Sequence, residues 1–273
     1  MKRVEDIVEL KRIANRMRQN IVKMIGEAGS GHPGGSLSAT ELVAALYFNV
    51  MRHDPARPAW PDRDRFVLSK GHACPVLYCA LAEAGYIDPA LLPTLRKLGS
   101  PLQGHPDRRF LPILEASTGS LGNGLSIGMG MALAGRLDEK DYRTYVLLGD
   151  GECQEGQVWE AAMFAGYHKL ENLCAIVDYN KIQLDDFVAK VLDLEPLKAK
   201  WDSFGWRVLE IDGHDWTAVL GAFEQAKMTI GKPTVIIANT IKGKGVSFME
   251  NNVEFHGTAP NKEQVKLALA ELA

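Results

Sequence analysis

The chain has 273 residues, of which 46% are hydrophobic and 24% charged, as in an ordinary globular protein. With typical domains of about 150 residues, this length suits one large α/β domain or two smaller ones. The 31 basic and 34 acidic side chains leave a formal net charge of −3, which argues against nucleic acid as the main partner because phosphate-backbone binding normally needs a basic surplus. No apolar run approaches the roughly 18 residues of a membrane span, so no membrane role is expected.

The cysteines indicate a reducing compartment. The four of them form no Cys-x-x-Cys pair, and the amino terminus mixes charges of both signs instead of forming the apolar core of a signal peptide. We therefore expect a cytoplasmic protein. Cys153 and Cys174 have no base partner visible in the sequence and are predicted to be packing thiols.

Two helices separated by a glycine-rich segment are predicted at the start of the chain. Apolar residues recur at helical spacing over residues 4–25, with charges between them, which is typical of an amphipathic helix. Ser38 followed by Glu41 predicts a capping box before a second helix over residues 42–50. The intervening residues 30–36 are rich in glycine, and we expect them to form a loop whose backbone can approach a ligand closely.

Short apolar runs alternate with helical patterns over the rest of the chain. The predicted strands lie at residues 66–69, 145–149, 173–178, 208–212 and 234–238, and the predicted helices at residues 122–137, 158–167, 216–230 and 261–272. This alternation is typical of a mostly parallel sheet with helices on both faces. Residues 54–64 contain three prolines and are predicted to be a surface connection. Because no low-complexity linker divides the chain, we expect one domain over residues 1–273.

A glycine turn follows the predicted strand at residues 145–149. Gly149-Asp150-Gly151 lies at the carboxyl end of that strand, where ligands bind in open α/β sheets, and the helix start that follows attracts anions such as phosphate. Asp150 would repel a phosphate unless a cation lay between them, and Mg²⁺ prefers such oxygen ligands. Asn180 and the Ile182 carbonyl follow the next strand and would supply further oxygens if the two strands are neighbours. Taken alone, Gly-Asp-Gly and Asn180 are more often parts of turns than ligands.

The spacing of these residues resembles a known fingerprint. Gly149-Asp150-Gly151, followed thirty residues after Asp150 by Asn180, is similar to the thiamine diphosphate motif. Further blocks resemble transketolase blocks and occur in the same order: Ser30-Gly31-His32-Pro33-Gly34, Lys70-Gly71-His72, Gly104-His105-Pro106, Thr118-Gly119-Ser120-Leu121-Gly122 and His256-Gly257. Over nearly its full length the chain resembles the amino-terminal, diphosphate-binding part of the transketolase family. Within that family it is most similar to the amino-terminal subunit of split transketolases.

The resemblance implies a set of cofactor and metal residues. Asp150, Asn180 and the Ile182 carbonyl would bind Mg²⁺. Thiamine diphosphate would lie against these and against His72, Gly119, Leu121, Gly149, Gly151, Glu155 and His256. Within this set the Gly151 backbone and the two histidines would lie near the diphosphate, Gly119 and Leu121 would line the bend between the cofactor rings, and Glu155 would belong to a carboxylate network linking paired active sites.

Catalytic roles are implied for three histidines. By the resemblance, His32 and His105 would face the donor sugar. Together with His256 they would handle hydroxyl protons, which suits a side chain with an unperturbed pKa of about 6.5. Lys244 is expected near an anionic group.

Other positions carry no implied role or depart from the pattern. His214 looks like part of a turn and helix cap, and we interpret it, like His53 and His168, as a structural or surface residue. Asn123 stands where the family commonly has Gln, and residues 108–115 do not follow the usual pattern. Both departures concern the donor site and leave the cofactor site intact.

The resemblance also implies an active site that this chain does not complete. In the family, a glutamate from the pyrimidine-binding domain activates the cofactor, and nothing in this sequence resembles that domain. We therefore expect a partner that corresponds to the carboxy-terminal transketolase subunit, an assembly of two plus two chains, and sugar phosphate substrates. The expected reaction transfers a two-carbon ketol unit from a ketose to an aldose. Two alternatives stay open: the α-type subunit of a 2-oxo acid dehydrogenase, and a non-catalytic paralogue that keeps the fold.

Overall fold

A parallel β-sheet forms the centre of the computed structural model, which describes residues 3–273. Met1 and Lys2, which belong to the amino-terminal stretch and to the domain range considered above, lie outside the described residues. Within the described part, the strands follow the order β1-β2-β3-β5-β4, and all neighbours are parallel. They are β1 Arg65–Leu68, β2 Thr144–Gly149, β3 Leu173–Tyr179, β4 Arg207–Asp212 and β5 Thr234–Asn239. The predicted strands and the parallel sheet are confirmed.

Helices cover both faces of this sheet. They are α1 Ile7–Ala28, α2 Pro33–Ser38, α3 Thr40–Ala45, α4 Cys74–Glu83, α5 Asn123–Leu137, α6 Gly156–Tyr167, α7 Val188–Val191, α8 Leu197–Ser203, α9 Trp216–Met228 and α10 Lys262–Glu271. A π-helix at Leu46–Val50 continues α3. Helix α9 packs on β4 and β5 from one side, whereas α5 packs on β1 and β2, and α8 on β4, from the other side. None of the helices in the described residues is long and apolar enough to cross a membrane.

Side chains of the central strands alternate between two hydrophobic cores. In β2, Tyr145 and Leu147 belong to the core that contains α9, and Val146 and Leu148 belong to the core that contains α5. All four side chains are fully buried, as expected for a parallel strand covered on both faces. Burial of a large aliphatic side chain contributes about 1.5–3 kcal/mol, so these strands firmly anchor the turns that leave their carboxyl ends.

The amino-terminal elements differ from the prediction in two places. The capping box is wrong: Ser38 ends α2, and its hydroxyl donates to the Asp178 carboxylate at 2.6 Å. Glu41 lies inside α3 and binds Arg18 instead of a helix amino terminus. The predicted loop is also wrong beyond its third residue, because Pro33 is a favourable first residue for α2.

The predicted helices are present, but the sequence analysis did not predict α2, α4, α7 or α8. Helices α1, α5, α6, α9 and α10 confirm their predictions, and residues 54–64 form turns at the surface as expected. Helix α4 was missed because it is buried almost all round, and a helix without a polar face has no amphipathic period. All four cysteines are free and buried, and burial raises the pKa of Cys174 to about 12, as suits a packing thiol.

His53 should make the stability of this fold depend on pH. It is 6% exposed, its Nε2 donates to the Tyr47 carbonyl at 2.6 Å, and its Nδ1 accepts from the Tyr86 hydroxyl at 2.9 Å. Burial lowers the pKa of His53, although the bond to the Tyr47 carbonyl opposes the shift. As the pH falls, His53 therefore becomes protonated at a higher pH in the unfolded chain than in the folded protein. The free energy of unfolding should fall as pH drops below about 6.5, by at most about 1.4 kcal/mol per pH unit for this histidine.

Urea denaturation of wild type and H53Q between about pH 7 and about pH 5 measures this effect. We expect a shallower pH dependence in H53Q, because glutamine does not titrate. The control is H168Q, which replaces a histidine at the carboxyl end of α6 and leaves the contacts of His53 intact; the change of slope should be larger in H53Q than in H168Q. Identical slopes for H53Q and wild type would contradict the prediction.

Candidate active site

A cavity of about 290 Å³ opens at the carboxyl ends of the central strands. Its walls are built largely by the turns that follow β1, β2, β3 and β5. Every residue with a predicted catalytic, cofactor or metal role lines it: His32, His72, His105, Gly119, Leu121, Gly149, Asp150, Gly151, Glu155, Asn180, Ile182 and His256. Residues scattered over more than two hundred sequence positions are thus brought to one place.

Asp150 and Asn180 meet because β2 and β3 are neighbours. Gly149 pairs with Asp178 in the register of these strands, so Asp150, which follows Gly149, and Asn180, two residues beyond Asp178, leave the sheet at the same edge. The Asp150 carboxylate also accepts a hydrogen bond from the backbone N–H of Lys181. This bond ties the turn after β2 to the turn after β3 and fixes the carboxylate at the cavity edge.

The oxygens at this edge are buried. Asp150 is 2% exposed, and burial, followed by the negative charge of Asp178, raises the pKa of Asp150 to about 6. The Ile182 carbonyl accepts a hydrogen bond from Lys242 Nζ at 2.6 Å. Burial lowers the pKa of Lys242 to about 8, although the charge of Asp150 opposes this. Although burial raises its pKa, the Asp150 carboxylate attracts a further positive charge when it is ionised.

Asp178 holds the surrounding turns together. Its fully buried carboxylate accepts hydrogen bonds from Ser38 and Asn180, at 2.6 and 3.0 Å, and from Lys70 and Thr240. Burial alone would raise the pKa of Asp178, but the charge of Lys70 and these hydrogen bonds outweigh burial and lower it. Asn180 donates to Asp178 through Nδ2, and its Oδ1 accepts from the backbone N–H of Ile182 at 3.2 Å, which leaves one lone pair of that oxygen for a cation.

Four histidines from separate segments meet across the cavity. The ring centroid of His32 lies 5.1 Å from His72, 6.4 Å from His105 and 5.6 Å from His256. His256 Nδ1 lies 2.7 Å from Lys242 Nζ and accepts its hydrogen bond. The Nδ1 atom of His32 is buried and finds no hydrogen-bond partner in the described part of the chain. Since buried polar atoms are nearly always paired, a ligand or a water must satisfy it.

Burial and nearby positive charges favour the neutral form of these imidazoles. Burial, followed by the positive charge of Arg96, lowers the pKa of His32 to about 4 and also lowers the pKa of His105. Burial, followed by the charge of Lys242, lowers the pKa of His256 to about 3. A neutral imidazole offers one N–H donor and one acceptor nitrogen. The group is therefore suited to hydrogen bonding with hydroxyl groups.

The remaining predicted residues shape the cavity. Gly119 has a φ of 143°, and a Cβ atom there would lie 2.9 Å from Cδ2 of His105, so only glycine lets the backbone pass. Leu121 adds an apolar surface, and Glu155 is exposed just before α6. Asn123 begins α5, and its side-chain amide donates to the Ser120 carbonyl at 3.2 Å.

Sequence reasoning missed three cations at this site. Lys70 and Lys242 line the cavity, and Arg96 acts electrostatically on two of its histidines. Lys70 follows β1 by two residues and Lys242 follows β5 by three, so the strand-end argument used for the predicted metal ligands would have found both. Lys244, which was expected near an anionic group, pairs with Glu250 at 3.3 Å and is not a lining residue.

The residues present fit a hard cation and a diphosphate. Mg²⁺ favours carboxylate, amide and carbonyl oxygens, which Asp150, Asn180 and Ile182 bring to one edge of the cavity. Within residues 3–273 no group of three or more His, Cys, Asp or Glu side chains is arranged for a metal, so this mixed oxygen set is the candidate. Lys242 adds a positive charge beside it, through its hydrogen bond to the Ile182 carbonyl, and the unpaired His32 Nδ1 adds hydrogen-bonding capacity elsewhere in the cavity.

Comparison with known proteins identifies the family. The family profile described as transketolase, thiamine diphosphate binding domain, matches residues 9–272. The chain belongs to the transketolase family.

Individual relatives agree with this assignment. The chain is 49% identical over 268 residues to the 6-deoxy-6-sulfo-D-fructose transketolase subunit SqwG of Clostridium sp. (strain MSTE9), a match that covers 98% of both chains. It is 42% identical to an apulose-4-phosphate transketolase subunit of Phocaeicola vulgatus, over 98% of this chain and 94% of the relative. Its structure superposes on the transketolase of Campylobacter jejuni with a TM-score of 0.92 and 36% identity, over 98% of this chain but 43% of that one.

The chain thus matches subunit relatives over nearly their whole length and spans about two fifths of the solved transketolase. The predicted family, the thiamine diphosphate-binding fold and the identity as a subunit of a ketol-transferring enzyme are confirmed. Both relatives are named as subunits of transketolases. These names favour ketol transfer over the 2-oxo acid dehydrogenase alternative.

Proposed function

We propose that this chain is the amino-terminal subunit of a two-chain transketolase that moves a two-carbon ketol unit from a ketose to an aldose with Mg²⁺ and thiamine diphosphate. One observation carries the proposal: in a chain of this family, four motif histidines and the edge formed by Asp150 and Asn180 converge on one cavity. Residues 1–273 would form a single domain that holds the diphosphate end of the cofactor.

Three oxygens would hold Mg²⁺ in this proposal. They belong to the Asp150 carboxylate, the Asn180 amide and the Ile182 carbonyl. The metal charge would offset both the buried charge of Asp150 and the charge of a diphosphate, which would otherwise repel each other. Lys242, which donates to the Ile182 carbonyl at 2.6 Å, would contribute a further positive charge at this end of the cavity.

The rest of the cofactor would lie along the cavity walls. When bound, thiamine diphosphate supplies the electron sink that allows a carbon–carbon bond to break and form. This chain's contribution is to bind and orient it. The residues proposed to contact it, besides the metal ligands, are His72, Gly119, Leu121, Gly149, Gly151, Glu155 and His256.

The histidines away from the metal would serve the donor sugar. His32 and His105 are neutral, so each can accept a hydroxyl proton at one nitrogen and donate a hydrogen bond from the other. His256, whose Nδ1 accepts from Lys242, would present its Nε2–H as a hydrogen-bond donor to a further substrate hydroxyl and would assist its proton transfer in that way. Arg96 places a positive charge near both donor-site histidines, which suits a sugar that carries a phosphate or another anionic group.

A partner chain would complete the active site. It would correspond to the carboxy-terminal half of a transketolase and would supply the glutamate that activates the cofactor. The assembly would contain two copies of each chain, with the cofactor between unlike chains. Glu155, exposed just before α6, would then face the carboxylates that link paired sites. We also propose a cytoplasmic location, from the free thiols of the described residues.

A coupled ketol-transfer assay tests this function. This chain alone, and this chain mixed with its candidate partner, are supplied with Mg²⁺, thiamine diphosphate, xylulose 5-phosphate and ribose 5-phosphate. We expect turnover only in the mixture, and sedimentation of the mixture as a two-plus-two complex. A stable, active species of this chain alone would contradict the partner requirement. Failure to bind the cofactor would revive the non-catalytic paralogue, whereas cofactor binding without turnover would move the search to other ketoses and aldoses.

The donor sugar is tested with a substrate panel. The two subunit relatives are named for different sugars, 6-deoxy-6-sulfofructose and apulose 4-phosphate, so both join xylulose 5-phosphate in the panel. We expect the physiological donor to have the highest kcat/KM, and we expect all accepted donors to carry an anionic group. Decarboxylation of 2-oxo acids at a comparable rate would revive the dehydrogenase alternative.

A further inference from the structure

A buried ion cluster lies behind the cavity, where α1, α3 and the turn after β4 meet. Arg18 Nη2 lies 2.6 Å from both carboxylate oxygens of Glu41, and the two side chains are only 9% and 8% exposed. His214 Nδ1 lies 3.1 Å from Glu41 Oε2. The turn and helix cap predicted for this segment are present, with Asp215 as the cap of α9. The contacts of the His214 side chain go beyond that prediction.

Hydrogen bonding fixes the tautomer of His214. The backbone N–H of Ile241 donates to His214 Nε2 at 2.9 Å, so Nε2 must carry a lone pair. The ring proton is therefore on Nδ1, which donates to the Glu41 carboxylate. In this arrangement His214 links a buried carboxylate on α3 to the backbone of the turn that follows β5.

The cluster of Arg18, Glu41 and His214 also fixes the carboxyl-terminal end of the turn at residues 241–244. Arg18 Nε donates to the Lys244 carbonyl at 3.1 Å, so Ile241 and Lys244 are both tied to one buried cluster. Between them, Lys242 sends its side chain into the cavity, where Nζ lies 2.7 Å from His256 Nδ1. A lysine side chain has four rotatable bonds, so its ammonium group keeps a defined place only if its backbone is fixed.

We propose that His214 is a positioning residue for Lys242: with Glu41 and Arg18, it fixes the turn at residues 241–244 so that the ammonium group lies at the diphosphate end of the cavity. This inference rests on the proposed function, because it takes the cavity to be the thiamine diphosphate site. His214 itself does not line the cavity. It acts on the cofactor only through the turn.

Loss of the imidazole would leave the Ile241 N–H without its partner and loosen the turn at that end, although the Gly243 N–H still donates to the Gly34 carbonyl and the Lys242 carbonyl still accepts from the Asn251 N–H. Lys242 Nζ would then spend less time beside the metal-site oxygens, and cofactor affinity would fall. The two hydrophobic cores contain none of the three cluster residues. Because Arg18 and Glu41 are themselves buried, the Tm of the cofactor-free protein is measured beside the affinity to separate an effect on the cofactor from an effect on folding.

A double-mutant cycle tests the inference by isothermal titration of thiamine diphosphate with Mg²⁺ into the full chain with its partner present. H214F keeps a ring but removes both hydrogen bonds, and it should weaken binding by about 10-fold, as losses of supporting contacts at metal sites do. K242M should weaken binding at least as much. The double variant should bind no more weakly than K242M, because the group through which His214 acts is already gone. H214Q, whose amide oxygen can accept from the Ile241 N–H, should recover most of the affinity.

Each other outcome has a defined meaning. Equal affinity of H214F and wild type, or an H214F effect that persists undiminished in the K242M background, would overturn the inference. A lower Tm of the cofactor-free H214F protein with unchanged affinity would indicate a merely structural role and would overturn it too. If H214F does not fold, H214N, which is too short to reach both Glu41 and Ile241, gives the same comparison. If wild type binds no cofactor, the proposed function fails first, and this inference falls with it.

Discussion

Replacement of Asp150 by asparagine should abolish Mg²⁺-dependent binding of thiamine diphosphate while leaving the cofactor-free chain at least as stable as wild type. Changes next to a metal ligand typically cost about 10–100-fold in affinity, so loss of a charged ligand should cost about 100-fold or more. The free energy of unfolding of the cofactor-free chain should instead stay the same or rise. The pKa of Asp150 is raised to about 6, first by burial and then by Asp178, so at pH 7 the ionised carboxylate favours the unfolded chain, and a neutral amide removes that penalty.

Isothermal titration with Mg²⁺ and thiamine diphosphate, and thermal unfolding without them, measure the two effects of D150N. The matched control is D186N. Asp186 also follows β3, but it is exposed and pairs with Lys190 at 3.1 Å outside the cavity. D186N should bind cofactor like wild type. Near-normal binding by D150N would remove Asp150 from the metal site.

Local patterns predicted the sheet because its strands are short apolar runs separated by polar turns. The same reasoning failed for α4, which is apolar on all sides, and for the Ser38–Glu41 capping box. Ser38 donates to Asp178, which is 140 positions away, and Glu41 pairs with Arg18 across two helices. Nothing in the local sequence shows that a distant partner will outcompete a helix cap.

The sequence could predict those site residues that lie at strand ends or in family motifs. Asp150 and Asn180 could be placed together because adjacent parallel strands end at one edge of a sheet. The same argument could have placed Lys242 at the site. The role inferred for His214 was not, because it depends on contacts 173 positions apart in sequence with Glu41 and 27 apart with Ile241. Such contacts become visible only when the fold is known.

Replacement of His105 by alanine should lower turnover with little effect on the cofactor. The ring centroid of His105 lies 6.4 Å from that of His32, and within residues 3–273 the His105 ring makes no hydrogen bond to a proposed metal ligand. Removal of a group that exchanges a substrate proton typically costs about 10²–10⁴-fold in rate. H32A should behave similarly, although His32 also packs against His72 and His256, so a modest loss of cofactor affinity should accompany it.

The measurement that separates these roles pairs steady-state kinetics of ketol transfer with titration of thiamine diphosphate. For H105A we expect kcat/KM for the donor to fall by at least about 100-fold and the cofactor Kd to stay within about threefold of wild type. H72A provides the contrast: His72 stacks on His256, which accepts from Lys242, so its loss should raise the cofactor Kd. The two variants should therefore separate the donor end of the cavity from the diphosphate end. If H105A loses cofactor affinity as severely as H72A does, His105 belongs to the cofactor site and its donor-site role is wrong.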